Sequence, residues 1–348
     1  MEKMDFSSFE TIIDCRSPAE YEEDHIPGAV SAPVLDDDER AQVGTLYKQV
    51  SQFDAKKLGA AMLAKNVACH VETLFAGKPK TWRPLVYCWR GGRRSGAMAH
   101  VLREIGWDAR TLEGGYKAYR RWVVAQLETL PSQLKFTVVH GPTGSGKSRL
   151  LAALARAGGQ VLDLEALAAH RGSVLGGLPD RPQPSQKMFE SRLLSELAAL
   201  DTSRSVFVEG EAKKIGQLQV PDALIATMRA SPCVRLEASV ETRVALLLDE
   251  YQHFLADRRT LEAQLDCLVA LHGRERIAEW KALAARGAWR EFVSRLLLEH
   301  YDPAYKRSSH KNFVRLADAP SVRIASADEA AFSRAAQSLL ASAELQPA

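Results

Sequence analysis

The sequence is poor in cysteine. Its 348 residues hold five, Cys15, Cys69, Cys88, Cys233 and Cys267. The number is odd and no pair has C-x-x-C spacing. This argues against a disulfide framework and a zinc site, and for a reducing cytoplasm. Long apolar runs are also missing. No stretch approaches the ~20 residues a membrane helix needs, so no membrane is expected. The opening "MEKMDFSSFE" is acidic and mixed, unlike a secretory signal. No internal repeat and no low-complexity block is present.

What is present is enough for a substantial core. With 46% hydrophobic and 26% charged residues, a chain of this length builds two or three domains. The net charge of +3 says little, but its distribution says more. Residues 1–40 hold 12 Asp/Glu against 3 Lys/Arg, whereas residues 78–122 hold 11 Lys/Arg against 3 Asp/Glu. Two readings follow. The basic stretch is a solvated face neutralised by the acidic N-terminus, or it meets an anionic, even polyanionic, substrate.

Strand and helix patterns alternate. "FETIIDCRSPAEY" reads as a strand, a turn and a helix start; "RPLVYCW" is a second strand. "RSGAMAHVLREIG" is an amphipathic helix closed by Gly106, and "EGGYKAYRRWVVAQL" is another helix. This is a parallel α/β domain, residues 1–130. A second unit, 131–348, starts with "KFTVVHGPTGSGKSRLLAALARAG": strand, glycine loop, helix. Its alternation continues through "QVLDLEALAAH", "SVFVEGEA" and "CVRLEASVETRVALLLDEY". Residues 253–311 are purely helical, and "SVRIAS" and "DEAAFSRAAQSLLAS" add a last strand and helix. The expected fold class is α/β throughout, with a helical insertion in the second domain.

The loop "CWRGGRRS" carries the first chemistry. A free cysteine is mostly protonated near neutral pH, and the thiolate is the nucleophile. Converging amides, a helix N-terminus and nearby arginines all stabilise it. Gly91 and Gly92 let successive N–H groups turn inward. Arg90, Arg93 and Arg94 supply charge, and Ser95 can cap the helix. Cys88 is the expected nucleophile, at the mouth of this loop; the plain alternative is a buried structural cysteine. The spacing stays ambiguous. Cys88 and Arg94 fit the C-x5-R pattern of cysteine phosphatases, which usually have His where Tyr87 stands. The same strand-loop-helix also carries persulfide loops.

The second motif is "GPTGSGKS", fitting G-x-x-x-x-G-K-S between a strand and a helix. Backbone amides of Gly141, Gly144, Ser145 and Gly146 would cradle a diphosphate. Lys147 would reach a terminal phosphate, and Ser148 could hold Mg²⁺. No metal site is certain. Asp163, Glu209 and Glu211 are candidates for metal or water positioning, with Glu209 at a strand end where such a residue sits. Asp163 and Glu211 read equally as capping or surface carboxylates. His170 and Arg171 of "HRGS" either contact substrate or end a helix.

Resemblance adds to this. "DCRSPAEYEEDHIPGAVSAP" and "EGGYKAYRRW" resemble the signatures of rhodanese-like domains, which implies that Asp14, Arg16 and His25 are structural. With the P-loop domain, and with "DLEALAAHRGSVLGGL", "QPSQKMFE", "VEGEAKKIG" and "HYDPAYKRS", nearly the whole chain resembles the tRNA 2-selenouridine synthase family. The resemblance implies selenium for sulfur exchange at the 2-thiolated wobble uridine of tRNAs for Lys, Glu and Gln, through the anticodon stem-loop. It implies selenophosphate and geranyl diphosphate as co-substrates, an S-geranyl intermediate and a selenophosphate-supplying enzyme as partner. Cys88 would carry selenium as a selenosulfide or assist transfer to C2. Arg90 to Ser95 would hold selenophosphate, and the P-loop geranyl diphosphate. The helical segment and the rim around Cys88 would meet tRNA phosphates, with Trp89 either stacking on a flipped base or packing. Cys15, inside the first signature, is expected as a small buried filler rather than a resolving thiol. A rhodanese-type sulfurtransferase or C-x5-R phosphatase fused to an ATP-dependent kinase-like domain is the alternative.

Overall fold

The computed structural model describes residues 4–344 apart from 174, 180, 253, 255 and 256. Val174, within the segment 163–178, and His253, the expected start of the helical segment, lie outside the described residues. The chain forms two compact units. One comprises Met1–Gln126 with Pro184–Ser195; the other comprises Leu127–Gln183 with Glu196–Ala348.

The first unit is built on a parallel sheet of β1 (Thr11–Asp14), β2 (Val30–Ser31), β3 (Pro84–Tyr87) and β4 (Arg110–Thr111), in the order β2-β1-β3-β4. All four residues of β3 are buried, as in a strand covered on both faces. Helix α1 (Pro18–Glu23) starts with a Ser17/Glu20 capping box and proline in its first turn, which fixes where it begins. Helices α2 (Asp37–Gln49) and α3 (Gln52–Glu72) fill the β2–β3 connection and bury only Ala55 and Val67. Helix α4 (Arg93–Ile105) ends at Gly106, whose φ is +107°, the left-handed stop that favours glycine. It lays Met98, Ala99 and Leu102 against Ile13, Val86 and Trp82. Helix α5 (Gly115–Thr129) follows β4.

The second unit holds a five-stranded parallel sheet in the order β11-β10-β5-β7-β6. Its strands are β5 (Lys135–His140), β6 (Gln160–Leu162), β7 (Ser205–Glu209), β10 (Cys233–Ala238) and β11 (Ser321–Ile324). A short hairpin, β8 (Lys214–Ile215) with β9 (Leu218–Gln219), stands apart from it. Helices α6 (Lys147–Arg156), α7 (Leu164–Ala168), α9 (Asp222–Ala230) and α10 (Val240–Glu250) are interleaved with these strands, while α8 (Gln186–Ala199), between β6 and β7 in the chain, belongs through Ser195 to the first unit. Leu150 and Leu154 of α6 pack with Val139, Leu246 and Phe332 of the last helix, Glu329–Glu344. A helical segment from Arg258 to Asn312 builds a second apolar cluster around Leu265, Ile277, Trp280 and Phe292. Both sheets are parallel and the chain is α/β, as the alternation predicted.

Candidate active site

Strand β3 delivers Cys88, and the loop after it turns into α4. Gly91 has φ +65°, and a Cβ there would lie 2.5 Å from the Leu112 carbonyl oxygen. Gly115, φ +56°, is tighter still, since its Cβ would lie 2.2 Å from the Cys88 carbonyl oxygen. The first amides of α5 fasten the loop from that side. Tyr116 N–H donates to Cys88 O at 2.9 Å and Lys117 N–H to Trp89 O at 3.0 Å. The amides of Arg90 and Ser95 favour negative charge on the sulfur. Ser95 Oγ lies 3.2 Å from Cys88 Sγ and donates to Gly92 O at 3.2 Å.

These contacts make the sulfur an anion. The Cys15 thiol, most of all, outweighs burial, and with Ser95 and the two amides it pulls Cys88 from 9.0 down to about 4. The position differs from the expectation in one respect. Cys88 is 4% exposed and belongs to the apolar cluster of Ile13, Val34 and Met98. The sulfur is therefore inside the loop rather than at its mouth, because the strand that carries it is covered on both faces.

The arginines divide. Arg90 and Arg93 are exposed, and neither has a carboxylate partner among the described residues. Arg94 is half-buried and pairs with Glu20 at 3.1 Å, which Arg40 also holds at 3.2 Å. Trp89 and Arg94 line a polar pocket with Ser17, Glu20, Glu23 and Arg40. Beneath the loop, Arg16 and Asp14 form a fully buried pair at 2.6 Å. Arg16 donates to the Asp24 carbonyl and lies 3.9 Å over the Tyr116 ring. His25 stacks on Tyr21 and bonds its carbonyl at 2.8 Å. These residues brace the loop without touching the sulfur.

In the second unit the P-loop joins β5 to α6. Gly144 and Gly146 have φ +77° and +85°, and a Cβ at Gly146 would collide with Phe332 at 2.6 Å. Lys147 lies back along the loop, donating to Gly141 O at 3.2 Å. Buried Arg243 donates to Thr143 O at 2.9 Å and pairs with Asp302 at 2.6 Å, tying the loop to "HYDPAYKRS". The Ser145 hydroxyl and His140 Nε2 are buried without a hydrogen-bond partner among the described residues. Burial, helped by Lys147, holds His140 down at about 4, so its imidazole is neutral.

The acidic candidates gather beside Ser148. Ser148 Oγ donates to Glu165 Oε2 at 2.9 Å, and Glu165 N–H donates to Glu209 Oε1 at 2.7 Å. Asp163 caps α7 through Ala166 N–H at 2.7 Å. Glu211 and Glu165 crowd Gly172, where a Cβ would lie 2.5 Å from one and 3.0 Å from the other. His170 and Arg171 sit in the loop containing Gly172: Gly172 N–H donates to His170 Nδ1 at 3.2 Å, and Arg171 donates to Glu250 O at 2.6 Å over the Tyr251 ring. Burial and the neighbouring acids push Glu209 well up. Burial and then Glu211, against Lys147 and Ser148, raise Glu165 from 4.5 to about 7.

A stability test follows. Between pH 4.5 and 7 the folded chain keeps the Glu165 proton that the unfolded chain has lost. Stability therefore falls as pH rises through this window. Glu165→Gln should melt above wild type at pH 8 and converge on it at pH 5. An equal gap at both pH values would make Glu165 an ordinary carboxylate.

An apolar pocket begins at the P-loop. Thr143 and Ser173 stand among its lining residues with Leu247, Tyr251, Phe254, Trp289 and Leu296. The helical segment supplies much of this lining. Within that segment Arg276 and Arg295 pair with Glu279 and Glu299, and Lys281 with Asp266.

Three residues escaped the sequence reading. Glu165 lay two positions from Asp163 in "DLE". Gly115 lay in a quoted signature, its close approach invisible without coordinates. Arg243 looked like a polar position on an amphipathic helix.

A rhodanese-like domain matches residues 2–121, and the tRNA 2-selenouridine synthase AAA domain matches residues 134–271. A tRNA 2-selenouridine synthase of Shewanella halifaxensis is 32% identical over 88% of this chain and 90% of its own. The chain belongs to the tRNA 2-selenouridine synthase family. The synthase of Sulfurovum sp. is also 32% identical, over 88% of this chain and 90% of its own. That of Nitrosomonas europaea is 37% identical over 69% of this chain; the match spans 63% of that relative, a little under two-thirds. Among the described residues no helix is long and apolar enough to cross a membrane.

Proposed function

We propose that this chain exchanges the 2-thio sulfur of the wobble uridine in tRNAs for Lys, Glu and Gln for selenium, through an S-geranyl intermediate. One observation carries the choice of geranyl diphosphate over a nucleotide. The apolar pocket begins at Thr143 of the diphosphate cradle. A cradle for anionic oxygens beside an apolar wall suits a diphosphate with a hydrocarbon tail.

The chemistry divides between two half-reactions. In the first, the C2 sulfur attacks C1 of geranyl diphosphate, and the carbon–oxygen bond breaks. The leaving diphosphate is received by the loop amides and Lys147. In the second, the Cys88 thiolate adds at C2 and expels geranyl thiolate. Selenium of selenophosphate then displaces Cys88, and water cleaves the selenium–phosphorus bond to release phosphate. Selenium keeps its oxidation state, so no oxidant or reductant is needed. Exposed Arg90 and Arg93 suit the doubly charged donor and the tRNA backbone.

Mg²⁺ fits the second unit. No group of three or more His, Cys, Asp or Glu among the described residues could hold a metal alone, but a P-loop cation takes much of its shell from phosphates and water. Carboxyl groups forced upward in pKa beside a single lysine suit a divalent charge. Ser148, Glu165 and Glu209 would hold it, and it would neutralise the leaving diphosphate.

The test is mass analysis of nucleosides from thiolated tRNA. Geranyl diphosphate alone should give S-geranyl-2-thiouridine, and both co-substrates together 2-selenouridine. ATP consumption with tRNA, and indifference to geranyl diphosphate, would favour a kinase-like second unit instead.

A further inference from the structure

Cys15 is the buried thiol that this mechanism does not use. It follows β1 directly, where Asp14 is in parallel register with Tyr87. Register therefore sets residue 15 beside residue 88. Cys15 N–H donates to the Tyr87 carbonyl at 3.0 Å, and Cys15 Sγ donates to the same oxygen at 3.0 Å. Cys15 is fully buried and shares one apolar cluster with Cys88. The register thus makes the Cys88 sulfur the cross-strand neighbour of this S–H within that cluster. The proton is held by a carbonyl and has a second sulfur as its neighbour.

We propose that Cys15 is a positioning residue for Cys88: its S–H turns from the Tyr87 carbonyl to the Cys88 sulfur when that sulfur becomes an anion, and holds it ready to attack. A charged acceptor draws a donor more strongly than a carbonyl does. Both sulfurs are buried in an apolar cluster, where a hydrogen bond to a charged group is stronger than in water. Burial, then the neighbouring Cys88, pushes the Cys15 thiol well up, which keeps the donor protonated while Cys88 ionises. The filler expected from the sequence would need only volume; a donor needs its proton. This inference rests on the reading of Cys88 as the reacting thiol.

The experiment is a pH titration of thiolate ultraviolet absorbance on the full chain, with Cys88→Ser as the blank for the other thiols. It requires no reagent to enter the loop and no tRNA. Wild type should ionise at Cys88 near pH 4. Cys15→Ala and Cys15→Val should move that midpoint up by about one to two units, and Cys15→Ser, which keeps a donor, should restore most of it. Should the apolar variants fail to fold, the infrared S–H stretch of Cys15 in wild type serves instead. It should drop in frequency as Cys88 ionises. A midpoint unmoved in Cys15→Ala or Cys15→Val, or a stretch indifferent to pH, overturns the proposal. A shifted midpoint together with undiminished selenation by Cys88→Ser would leave the hydrogen bond standing and remove the proposed role of Cys88.

Discussion

Cys88→Ser should abolish 2-selenouridine formation, by about 10³-fold or more, and S-geranyl-2-thiouridine should accumulate in its place. The substitution keeps nearly the same volume and the same loop. It replaces a sulfur that ionises at about 4 with a hydroxyl that stays protonated at every working pH. Nothing in the variant touches the P-loop, so geranylation continues. The wild-type step should also lack a thiol-ionisation limb between pH 6 and pH 9, because the native sulfur is already an anion there. Folding adds an independent check. The native thiol has lost its proton from about pH 4, whereas the unfolded one keeps it up to about 9. Stability gained from this group is complete above pH 9 and is lost as pH falls through 4. The gap between wild type and Cys88→Ser should therefore widen with rising pH. Wild-type selenation rates in the variant would remove the thiol from the mechanism.

The sequence made the two loops legible because each lies between a buried strand and an amphipathic helix. β3 and β5 are short apolar runs, and glycines and Lys/Arg mark where each ends. The alternation around them was legible for the same reason. Helices α2 and α3 were not, since they bury only Ala55 and Val67 and leave almost no apolar face to read. The hairpin β8–β9, two residues per strand, is too short for period-two alternation. Site chemistry that depends on distant pairs was equally hidden. Arg243 meets Thr143 a hundred positions away, and Cys15 meets Tyr87 seventy-two positions away. Glycine was recognisable as a hinge, but Gly115 matters because of what a Cβ would strike. The apolar pocket was invisible for a related reason: Leu247, Phe254 and Leu296 have the periodicity of core residues whether the space they face is filled or open.

Lys147→Ala should slow geranylation by about 10²–10³-fold, the usual cost of removing one donor aimed at developing charge. The loss should fall mainly on turnover, because negative charge grows on the leaving diphosphate only as the carbon–oxygen bond breaks. A secondary effect reinforces it. Lys147 is among the groups that restrain Glu165, which already sits at about 7. Without that ammonium Glu165 climbs further and holds its proton more tightly at neutral pH, so Mg²⁺ must displace that proton to bind. The Lys147→Ala optimum should consequently move to higher pH, where the carboxyl ionises. Selenation of tRNA supplied already S-geranylated should proceed at the wild-type rate, because that half-reaction uses only the Cys88 cradle. The measurement is a comparison of the two half-reactions in one variant, with steady-state parameters for geranyl diphosphate. Equal turnover of wild type and Lys147→Ala on geranyl diphosphate would detach the P-loop from this substrate. Loss of both half-reactions together would mean that the lysine serves the fold rather than the diphosphate.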